Sequence, residues 1–460
     1  MTPAIDIDRI FGAQRRARER LASTTAPERI EKIRRLEEAV LARRDEIRQA
    51  LHDDMRKPPQ EVDLTEIYAI VSEARFARRR LRRWMRARRV STPIALFGSR
   101  SRIVYEPKGV VLILSPWNFP FNLTLAPLVS AIAAGNAAIL KPSELTPASS
   151  SCMRRIVTDL FPEDEVVVIE GDVEAGKALV AKPFDHIFFT GSTAVGREVM
   201  KAAAANLTSV TLEMGGKSPA IVDRSADVMQ AAERIVWGKF LNAGQVCIAP
   251  DYVIVDEQIH DAFVAAVKRA VDAAPPDGGT MMVNEQHAAR VNALIDSAVS
   301  QGATIVTGGR FEGRQTKATV ITGVPLESAA MSEEIFGPLL PIVPFRSVDE
   351  ALQIVSSRGR PLVLYLFARD RDALRRISSR AAAGATVVNH TLIHFYQLNL
   401  PFGGVGESGI GRGHGFFGFE AFSNSRAILE QRMRFSPIQW LVPPYSRAKN
   451  RLIDFVVRYL

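Results

Sequence analysis

The sequence predicts an α/β fold with two doubly wound parallel-sheet domains and a small third element. Three observations lead to this fold class. A length of 460 residues leaves room for two or three domains. From Arg102 onward, short β-type runs alternate with helical stretches, and a second series of this kind begins near Gly215. Strands separated by helices of roughly ten to fifteen residues form parallel sheets with right-handed crossovers.

The N-terminal region is predicted to be helical and carries the whole net charge. Residues 5–90 have apolar positions every three or four residues and few glycines. Residues 1–100 hold 24 Lys and Arg against 15 Asp and Glu, which equals the net charge of +9 for the whole chain. Residues 75–89 contain nine arginines and no acid, which indicates a basic helix. This helix is either a solvated face or a surface that binds phosphates or membranes.

The first α/β series supplies five predicted strands. In order they are RIVYEP, VVLILSP, AAILKP, VVVIEG and HIFFTG, between Arg102 and Gly191. All but the first end in small or polar residues. Because parallel sheets bind ligands at the carboxyl ends of their strands, these ends predict a binding site.

The second series is longer and is followed by a glycine-rich loop. Its predicted strands are SPAIVD, DYVIVD, ATIVTGG, ATVITGV, LLPIVPF, VLYLFA and ATVVNH, with helices predicted at 226–241, 257–273 and 284–300. We therefore predict three parts: residues 1–214 with the N-terminal helices and the first sheet, residues 215–400 with the second sheet, and residues 401–460 as a C-terminal return segment and bridging tail.

Composition and segment lengths restrict the class of protein. Hydrophobic residues at 47% and charged residues at 24% are typical of globular chains. Two cysteines, Cys152 and Cys247, cannot form a disulfide framework, so we expect a reducing compartment, the cytoplasm. The N-terminus lacks the apolar core of a signal peptide, and residues 124–140 are too short and interrupted to span a membrane. The amphipathic end RLIDFVVRYL could contact a membrane surface or a partner subunit, or pack on the chain.

Several apparent motifs lack the required context. GGKS at 215–218 resembles the end of a phosphate-binding loop, but Thr211 stands where the first glycine is needed. Two GxGxxG matches after Gly403 do not lie between a strand and a helix. His390 and His394 have helical spacing, but no further cluster of ligands accompanies them, so no metal site is predicted.

Four features together indicate acyl chemistry beside a dinucleotide. Cys247 follows an amphipathic helix in a turn of small residues, as an exposed nucleophile requires. Glu213 ends an apolar strand, where burial would suit it as a general base. Asn118 lies where a strand ends and can donate an amide N–H to an oxyanion. Lys141 and Glu144, at another strand end, can hold ribose hydroxyls.

Seven motifs in order resemble the aldehyde dehydrogenase superfamily. They are PWNFP, KPSE, FTGSTAVG, LEMGGKSP, GQVCIAPDY, EEIFGP and LPFGGVGESGIG, and the similarity covers nearly the whole chain. The helix ending LRRWMRARR and the run YEPKGVVLILSPWNFPFNLTLAPLVSAIAAGN look most like the class 3 branch, which includes fatty, aromatic and coniferyl-type enzymes. In that branch the basic helix is a regular structural part, which argues against nucleic-acid binding.

The resemblance implies roles for individual residues. Cys247 would be the nucleophile, Glu213 the general base, and Asn118 half of an oxyanion hole whose other half is the Cys247 backbone N–H. The cofactor-binding residues would be Ser115, Trp117, Lys141, Glu144, Gly191, Ser192, Val195, Glu334 and Phe336.

The resemblance also implies the reaction, the cofactor and the partners. We expect NAD(P)-dependent oxidation of an aldehyde to an acid by a homodimer, with NAD preferred because Glu144 would repel a 2′-phosphate. Phe119, Phe395 and Tyr396 favour an aromatic or medium-to-long alkyl aldehyde. A basic binding protein on an inactive scaffold and a CoA-acylating relative stay open as alternatives.

Overall fold

Three β-sheets organise the chain. The computed structural model describes residues 6–273 and 279–459. The helices are α1 (Ile7–Ala22), α2 (Ala26–Ala42), α3 (Arg44–Met55), α4 (Pro59–Val62), α5 (Tyr68–Trp84), α6 (Asn122–Ala134), α7 (Pro147–Leu160), α8 (Val173–Val180), α9 (Thr193–Ala205), α10 (Val228–Phe240), α11 (His260–Asp272), α12 (Glu285–Ser300), α13 (Ala329–Ser332), α14 (Val348–Ser356), α15 (Arg371–Arg380), α16 (Gly415–Ala421) and α17 (Arg447–Tyr459). The strands are β1 (Arg88–Val90), β2 (Ser99–Pro107), β3 (Val110–Leu114), β4 (Ala137–Lys141), β5 (Val166–Val168), β6 (His186–Gly191), β7 (Ser209–Met214), β8 (Pro219–Val222), β9 (Tyr252–Asp256), β10 (Thr304–Thr307), β11 (Thr319–Thr322), β12 (Leu339–Phe345), β13 (Val363–Phe367), β14 (Ala385–Val388), β15 (Gly409–Ile410) and β16 (Ser423–Gln431).

The first sheet has the strand order β15-β7-β6-β3-β4-β5 and is parallel except for its edge strand β15. All five residues of β3 are buried. Val111 and Ile113 belong to the core shared with α5 and α6, and Leu112 belongs to the core shared with α1. Helices on both faces explain why this strand is a continuous apolar run.

The second sheet has the order β10-β11-β12-β9-β8-β13-β14 and is parallel except for β10. Every predicted strand of the second series forms within it, and the predicted helices form as α10, α11 and α12. Two layers of core residues cover its faces. The predicted α/β class with two parallel sheets is therefore confirmed.

One predicted strand belongs to a different sheet. We expected RIVYEP to join the first parallel sheet, but β2 pairs antiparallel with β1 and β16 in a separate three-stranded sheet. None of its nine residues is fully buried, whereas β3 is buried throughout. Only Lys108 and Gly109 separate β2 from β3, too few residues for a parallel crossover.

The basic segment is only partly helical. Helix α5 ends at Trp84, and Arg88 and Arg89 lie in β1, so the prediction of one basic helix over residues 75–89 was wrong at its end. Arg75 and Arg78 form ion pairs with Glu37 of α2. The strand forms because its backbone pairs with β2, which the arginine pattern did not reveal.

The C-terminal segment adds strands to two sheets. Strand β15 extends the first sheet, and all nine residues of β16 pair with β2. Helix α17 follows and has no buried residue. Among the described residues, no helix is long and apolar enough to cross a membrane.

Candidate active site

The carboxyl ends of the first sheet face the loop that follows α10. Asn118 follows β3, Glu213 lies in β7, and Cys247 lies between α10 and β9. These three side chains line one cleft together. The structure thus brings together the three residues predicted to be catalytic, which are separated by up to 129 positions in the sequence.

The turn before Cys247 has an unusual backbone. Asn242, Ala243 and Gly244 all have positive φ values, of 52°, 57° and 74°. A left-handed alanine is strained, and such strain persists only where its surroundings hold it. Gln245 does so, since its side chain donates to the carbonyls of Asn242 (3.0 Å) and Met281 (3.1 Å). The turn places Cys247 on the wall of the cleft.

Gly244 is expected to be required for this turn. A Cβ at position 244 would overlap the carbonyl oxygen of Gly337, in addition to the strain of a positive φ. We expect Gly244→Ala to lower the free energy of unfolding by about 3 kcal/mol. Gly313→Ala is the control, because Gly313 has a φ of 53° with no atom near a new Cβ. It should lose about 1 kcal/mol. Urea unfolding of both variants checks this, and equal losses would contradict it.

The thiol of Cys247 is held in its protonated form. Burial, followed by the charges of Glu334 and Glu213, raises the pKa of Cys247 to about 12. The backbone N–H groups of Cys247 and Ile248 act in the opposite direction. The thiol is therefore unreactive until something favours the thiolate, since the thiolate is the nucleophile.

Asn118 is almost completely buried, with 2% of its surface exposed. Its Nδ2 donates to the carbonyl oxygen of Gln245 at 3.0 Å. An amide nitrogen carries two hydrogens, so a second N–H is left to donate to a substrate oxygen. The hydrogen bond to Gln245 fixes the amide two residues from Cys247, as an oxyanion donor requires.

A buried ion pair supports Asn118 from the N-terminal helices. Lys57 Nζ contacts Glu66 Oε1 at 3.2 Å and donates to the backbone oxygen of Asn118 at 3.0 Å. Glu66 Oε2 accepts the backbone N–H of Asn122 at 2.8 Å, and Lys57 also lies over the ring of Phe119. Both Lys57 and Glu66 are fully buried. Sequence reasoning missed this pair, which lies before the first sheet and belongs to no motif.

Glu213 is buried and lines three neighbouring cavities. It lines the cleft with Cys247, an adjoining apolar cavity, and a smaller cavity between α5 and α6. Burial raises the pKa of Glu213 to about 8, while the charge of Arg412 lowers it. Its Oε1 has no hydrogen-bond partner in the described part of the chain. A carboxylate with this pKa can take a proton from water near neutral pH.

Five of the predicted cofactor residues line the cleft beside Cys247, and four do not. The five are Trp117, Gly191, Ser192, Glu334 and Phe336, while Ser115, Lys141, Glu144 and Val195 lie outside this lining. Ser115 and Lys141 are nevertheless neighbours, because the Ser115 N–H donates to the Lys141 carbonyl at 3.2 Å. Val195 is half exposed in the first turn of α9.

Lys141 and Glu144 form an ion pair at the end of β4. The distance from Lys141 Nζ to Glu144 Oε2 is 2.8 Å. Burial opposes ionisation of Glu144, yet hydrogen bonds from Lys141 and its own backbone hold its pKa below the usual value. Glu144 is thus a carboxylate, able to accept hydrogen bonds from hydroxyl groups.

The opposite wall of the cleft comes from the segment before β12 and from helix α12. Burial and the charge of Asp251 raise the pKa of Glu334 to about 8. Phe336 has a strained φ of 45° and packs edge-on against Trp117 at 5.3 Å between ring centres. His287 and Arg290 of α12 also line this wall, and Arg290 donates to the Glu334 carbonyl at 3.2 Å. Sequence reasoning missed both, because a lone His and Arg on a helix carry no motif.

The cavity next to Cys247 is mainly apolar. Its lining is Thr65, Phe119, Asn122, Leu123, Thr190, Glu213, Leu241, Val246, Cys247, Ile248, Leu362, Leu392, Phe395, Tyr396 and Phe402. The aromatic residues singled out from the sequence, Phe119, Phe395 and Tyr396, are among them. Such a cavity favours an apolar ligand.

No group of three or more His, Cys, Asp or Glu in residues 6–273 and 279–459 could hold a metal ion. His394 is half-buried, and burial lowers its pKa to about 4. Neither of its ring nitrogens has a hydrogen-bond partner within those ranges. His390 bonds to its own neighbour Thr391.

Sequence comparisons relate this chain to a known family. The profile of the Aldehyde dehydrogenase family matches residues 2–428. The 4,4'-diaponeurosporen-aldehyde dehydrogenase of Staphylococcus aureus is 42% identical, covering 91% of this chain and 92% of the relative. Aldehyde dehydrogenase family 3 member H1 of Arabidopsis thaliana is 40% identical, covering 90% of this chain and 87% of the relative. Coniferyl aldehyde dehydrogenase of a Pseudomonas species is 38% identical, covering 93% of this chain and 92% of the relative.

Solved structures share the fold over nearly the whole chain. The substrate-bound state of Staphylococcus aureus AldH superposes with a TM-score of 0.93 and 38% identity, covering 98% of this chain and 99% of that one. Betaine aldehyde dehydrogenase from the same organism, in complex with NAD⁺, gives a TM-score of 0.85 with 27% identity, covering 96% and 89%.

Proposed function

This chain belongs to the aldehyde dehydrogenase family, in its class 3-like branch, and is an aldehyde-oxidising oxidoreductase; from that premise we propose that Cys247 forms a thiohemiacetal and then a thioester with an apolar aldehyde. The observation that carries the proposal is the meeting of Cys247, Glu213 and Asn118 in one cleft. An intact set of these three residues favours catalysis over a binding role on an inactive scaffold.

The cleft fits the NAD(P)⁺ that structures of this family bind. The hydroxyl oxygens of Ser115 and Thr190 are buried without a partner among the described residues, at the ends of β3 and β6. Helix α9 begins directly after β6, and a helix N-terminus stabilises phosphate groups. Glu144 and Lys141 would hold the adenosine ribose, with Glu334 at the other ribose and Phe336 at the nicotinamide. A nicotinamide cofactor bound there would supply the hydride acceptor.

We propose that NAD⁺ is preferred over NADP⁺ because the carboxylate of Glu144 would repel a 2′-phosphate. Glu144→Gln should then raise the ratio of kcat/KM for NADP⁺ to that for NAD⁺ about tenfold. Glu174→Gln is a control, since Glu174 is an exposed carboxylate that pairs with Lys177 in α8. Initial rates with both cofactors check this. A ratio unchanged in Glu144→Gln would contradict the proposed contact.

The residues of the cleft divide the chemistry between them. The Cys247 thiol loses its proton to water in the cleft, and the thiolate attacks the aldehyde carbon. The resulting oxyanion accepts hydrogen bonds from Asn118 Nδ2 and the Cys247 backbone N–H, and each donor stabilises it by about 3 to 4 kcal/mol. Loss of hydride leaves a thioester on Cys247. Glu213 takes a proton from water as the water oxygen bonds the thioester carbon. The bond to sulfur then breaks and the carboxylic acid leaves.

The apolar cavity supports an aromatic or medium-to-long alkyl aldehyde. Its aromatic wall, from Phe119, Phe395 and Phe402, offers hydrophobic burial to such a chain. Two of the relatives are named for their aldehydes, 4,4'-diaponeurosporen-aldehyde and coniferyl aldehyde.

Chain length should therefore control the specificity constant. Each buried methylene contributes about 0.8 kcal/mol, so kcat/KM should rise about fourfold per methylene from butanal until the cavity is full. NADH formation with butanal, hexanal and octanal measures this. Phe119→Tyr, which adds a hydroxyl to the wall, should weaken the dependence. Equal kcat/KM values along the series would contradict an apolar substrate.

We propose further that the enzyme is a cytoplasmic homodimer. Both cysteines are free thiols, and the proposed chemistry of Cys247 needs a reducing compartment. The small sheet and the C-terminal segment expose large apolar side chains, among them Ile94, Phe97 and Trp440. A second copy of the chain would cover them. Light scattering in solution tests the dimer.

A further inference from the structure

A small cavity behind Glu213 is not explained by the reaction described so far. It lies between α5, α6 and the turn at residues 413–415, and Glu73, Leu123, Pro127, Ser130 and Glu213 are among its walls. Two acidic residues thus line one small cavity. Buried carboxylates are rare unless they are paired, so the second one requires an explanation.

Glu73 is a buried acid with one partner. It lies in α5 with 2% of its surface exposed. Its Oε1 accepts the backbone N–H of Gly415 at 2.8 Å. Its Oε2 is buried and, like Oε1 of Glu213, has no partner in residues 6–273 and 279–459. Each of the two carboxylates therefore has an oxygen left to bond to water.

One short turn contacts both acids. A Cβ at Gly413 would lie 2.6 Å from Glu213 Oε1, while Gly415 donates its N–H to Glu73. The turn is anchored because the Gly413 N–H donates to the Phe402 carbonyl at 2.7 Å. The Cα atoms of Gly413 and Gly415 lie at most about 7.6 Å apart, so this turn holds both acids beside the cavity that they share. Water in that cavity can bond to both.

The cavity also contains a backbone acceptor. Pro127 lies inside α6 and has no N–H, so the carbonyl of Leu123 cannot receive the usual helical hydrogen bond from it. Both residues line the cavity. This carbonyl offers water a third hydrogen-bonding group in addition to the two carboxylates, and buried water usually has two to four.

We propose that Glu73 is a relay residue, which removes from Glu213 the proton taken from the hydrolytic water, through water in this cavity. The proposal rests on the proposed role of Glu213 as the general base. The water O–H bond breaks and Glu213 gains the proton. Glu213 then gives a proton to the bridging water, which passes one to Glu73. Glu213 is again a carboxylate, Glu73 loses its proton to solvent water before the next turnover, and no electrons are transferred.

The acidities of the two groups suit such a transfer. Burial raises the pKa of Glu73 to about 7, against the opposing hydrogen bond from Gly415, and that of Glu213 to about 8. Proton transfer between groups this similar is nearly thermoneutral. Two other titratable groups lie at the turn. Burial lowers the pKa of His414 to about 4, so His414 is neutral near pH 7. The charge of Arg412 favours the ionised form of Glu213.

The test separates hydride transfer from deacylation. Glu73→Gln keeps an acceptor for the Gly415 N–H but cannot carry the proton. In rapid mixing with saturating aldehyde and NAD⁺, we expect a burst of one NADH per active site, as in the parent. The steady-state rate should be about tenfold lower, with a larger solvent isotope effect in D₂O. Glu73→Asp should recover part of the rate. A parent-like steady state in Glu73→Gln would overturn the proposal.

Three further variants make the result unambiguous. Glu37→Gln is the matched control, because Glu37 is a buried acid that contacts the same helix through Arg75 and Arg78, away from the cavity. It should behave like the parent. Ala126→Leu keeps both acids but fills the cavity, and should reproduce the defect even if Glu73→Gln does not fold. Glu213→Gln is measured in parallel. A full steady-state rate in this variant would contradict the proposed role of Glu213 as the general base. A slow rate in Glu213→Gln alone, with Glu73→Gln and Ala126→Leu like the parent, would contradict only the relay.

Discussion

Cys247→Ala should abolish aldehyde oxidation, with NADH formation at least about 10⁴-fold slower than in the parent. The reason is that in the proposed reaction the thioester forms on this sulfur, whereas the other residues of the cleft assist the steps. Cys152→Ala is the matched control, because the other thiol is buried in α7 with 1% of its surface exposed. It should keep the parent rate. Absorbance of NADH with hexanal measures both variants.

A trapped intermediate gives a second check on Cys247. Acid quenching during turnover should leave an acyl group on the peptide that contains Cys247, detectable by mass spectrometry. The Cys247→Ala variant should show none. An intact rate in that variant, or an acyl group on another residue, would contradict the assignment.

Glu213→Gln should have the second largest effect. We expect its steady-state rate to fall by about 10² to 10⁴-fold, because an amide cannot take a proton from the hydrolytic water. The first turnover of NADH should persist, since hydride transfer precedes hydrolysis. A burst followed by a very slow phase in rapid mixing would show this. Loss of the burst itself would mean that Glu213 acts earlier.

The pH dependence follows from the same carboxylate. Burial raises the pKa of Glu213 to about 8, and only its deprotonated form can act as a base. The steady-state rate of the parent should therefore increase with pH through neutrality and level off above about pH 8. In Glu213→Gln this rise should disappear. A parent profile that is flat between pH 6 and 9 would contradict the role.

The sequence predicted the parts of the site that lie at strand ends. β3, β4 and β6 are largely apolar runs that stop at polar residues, and β7 has Val210 and Leu212 before Glu213, so Asn118, Lys141 and Glu213 could be placed at one edge of a sheet. Cys247 could be recognised because small residues surround it. These signals are local, and the parallel fold brings them together.

Supporting residues from distant elements could not be predicted. Lys57 reaches Asn118 only because the N-terminal helices fold over α6, and a lysine in a polar segment does not reveal that it is buried. Glu73 is one acid in an amphipathic helix, and the one hydrogen bond of its side chain in the described residues is to Gly415, 342 positions away. The place of β2 was misread for a similar reason, since its partner β16 begins at residue 423.

The pairing of β2 with β16 also means that the small sheet cannot be completed until the C-terminal segment has been synthesised. Pro107 pairs with Ser423, 316 residues later. At a synthesis rate of about 5 to 20 residues per second, roughly 15 to 65 s pass between the synthesis of β2 and that of its partner β16. During this time the unpaired edge of β2 is open to pairing with other chains. The turn at residues 413–415, beside Glu213, is synthesised only shortly before β16. Nascent chains should therefore stay inactive until the C-terminal segment has been synthesised. A chaperone that shields the free edge of β2 until then should raise the yield of active enzyme.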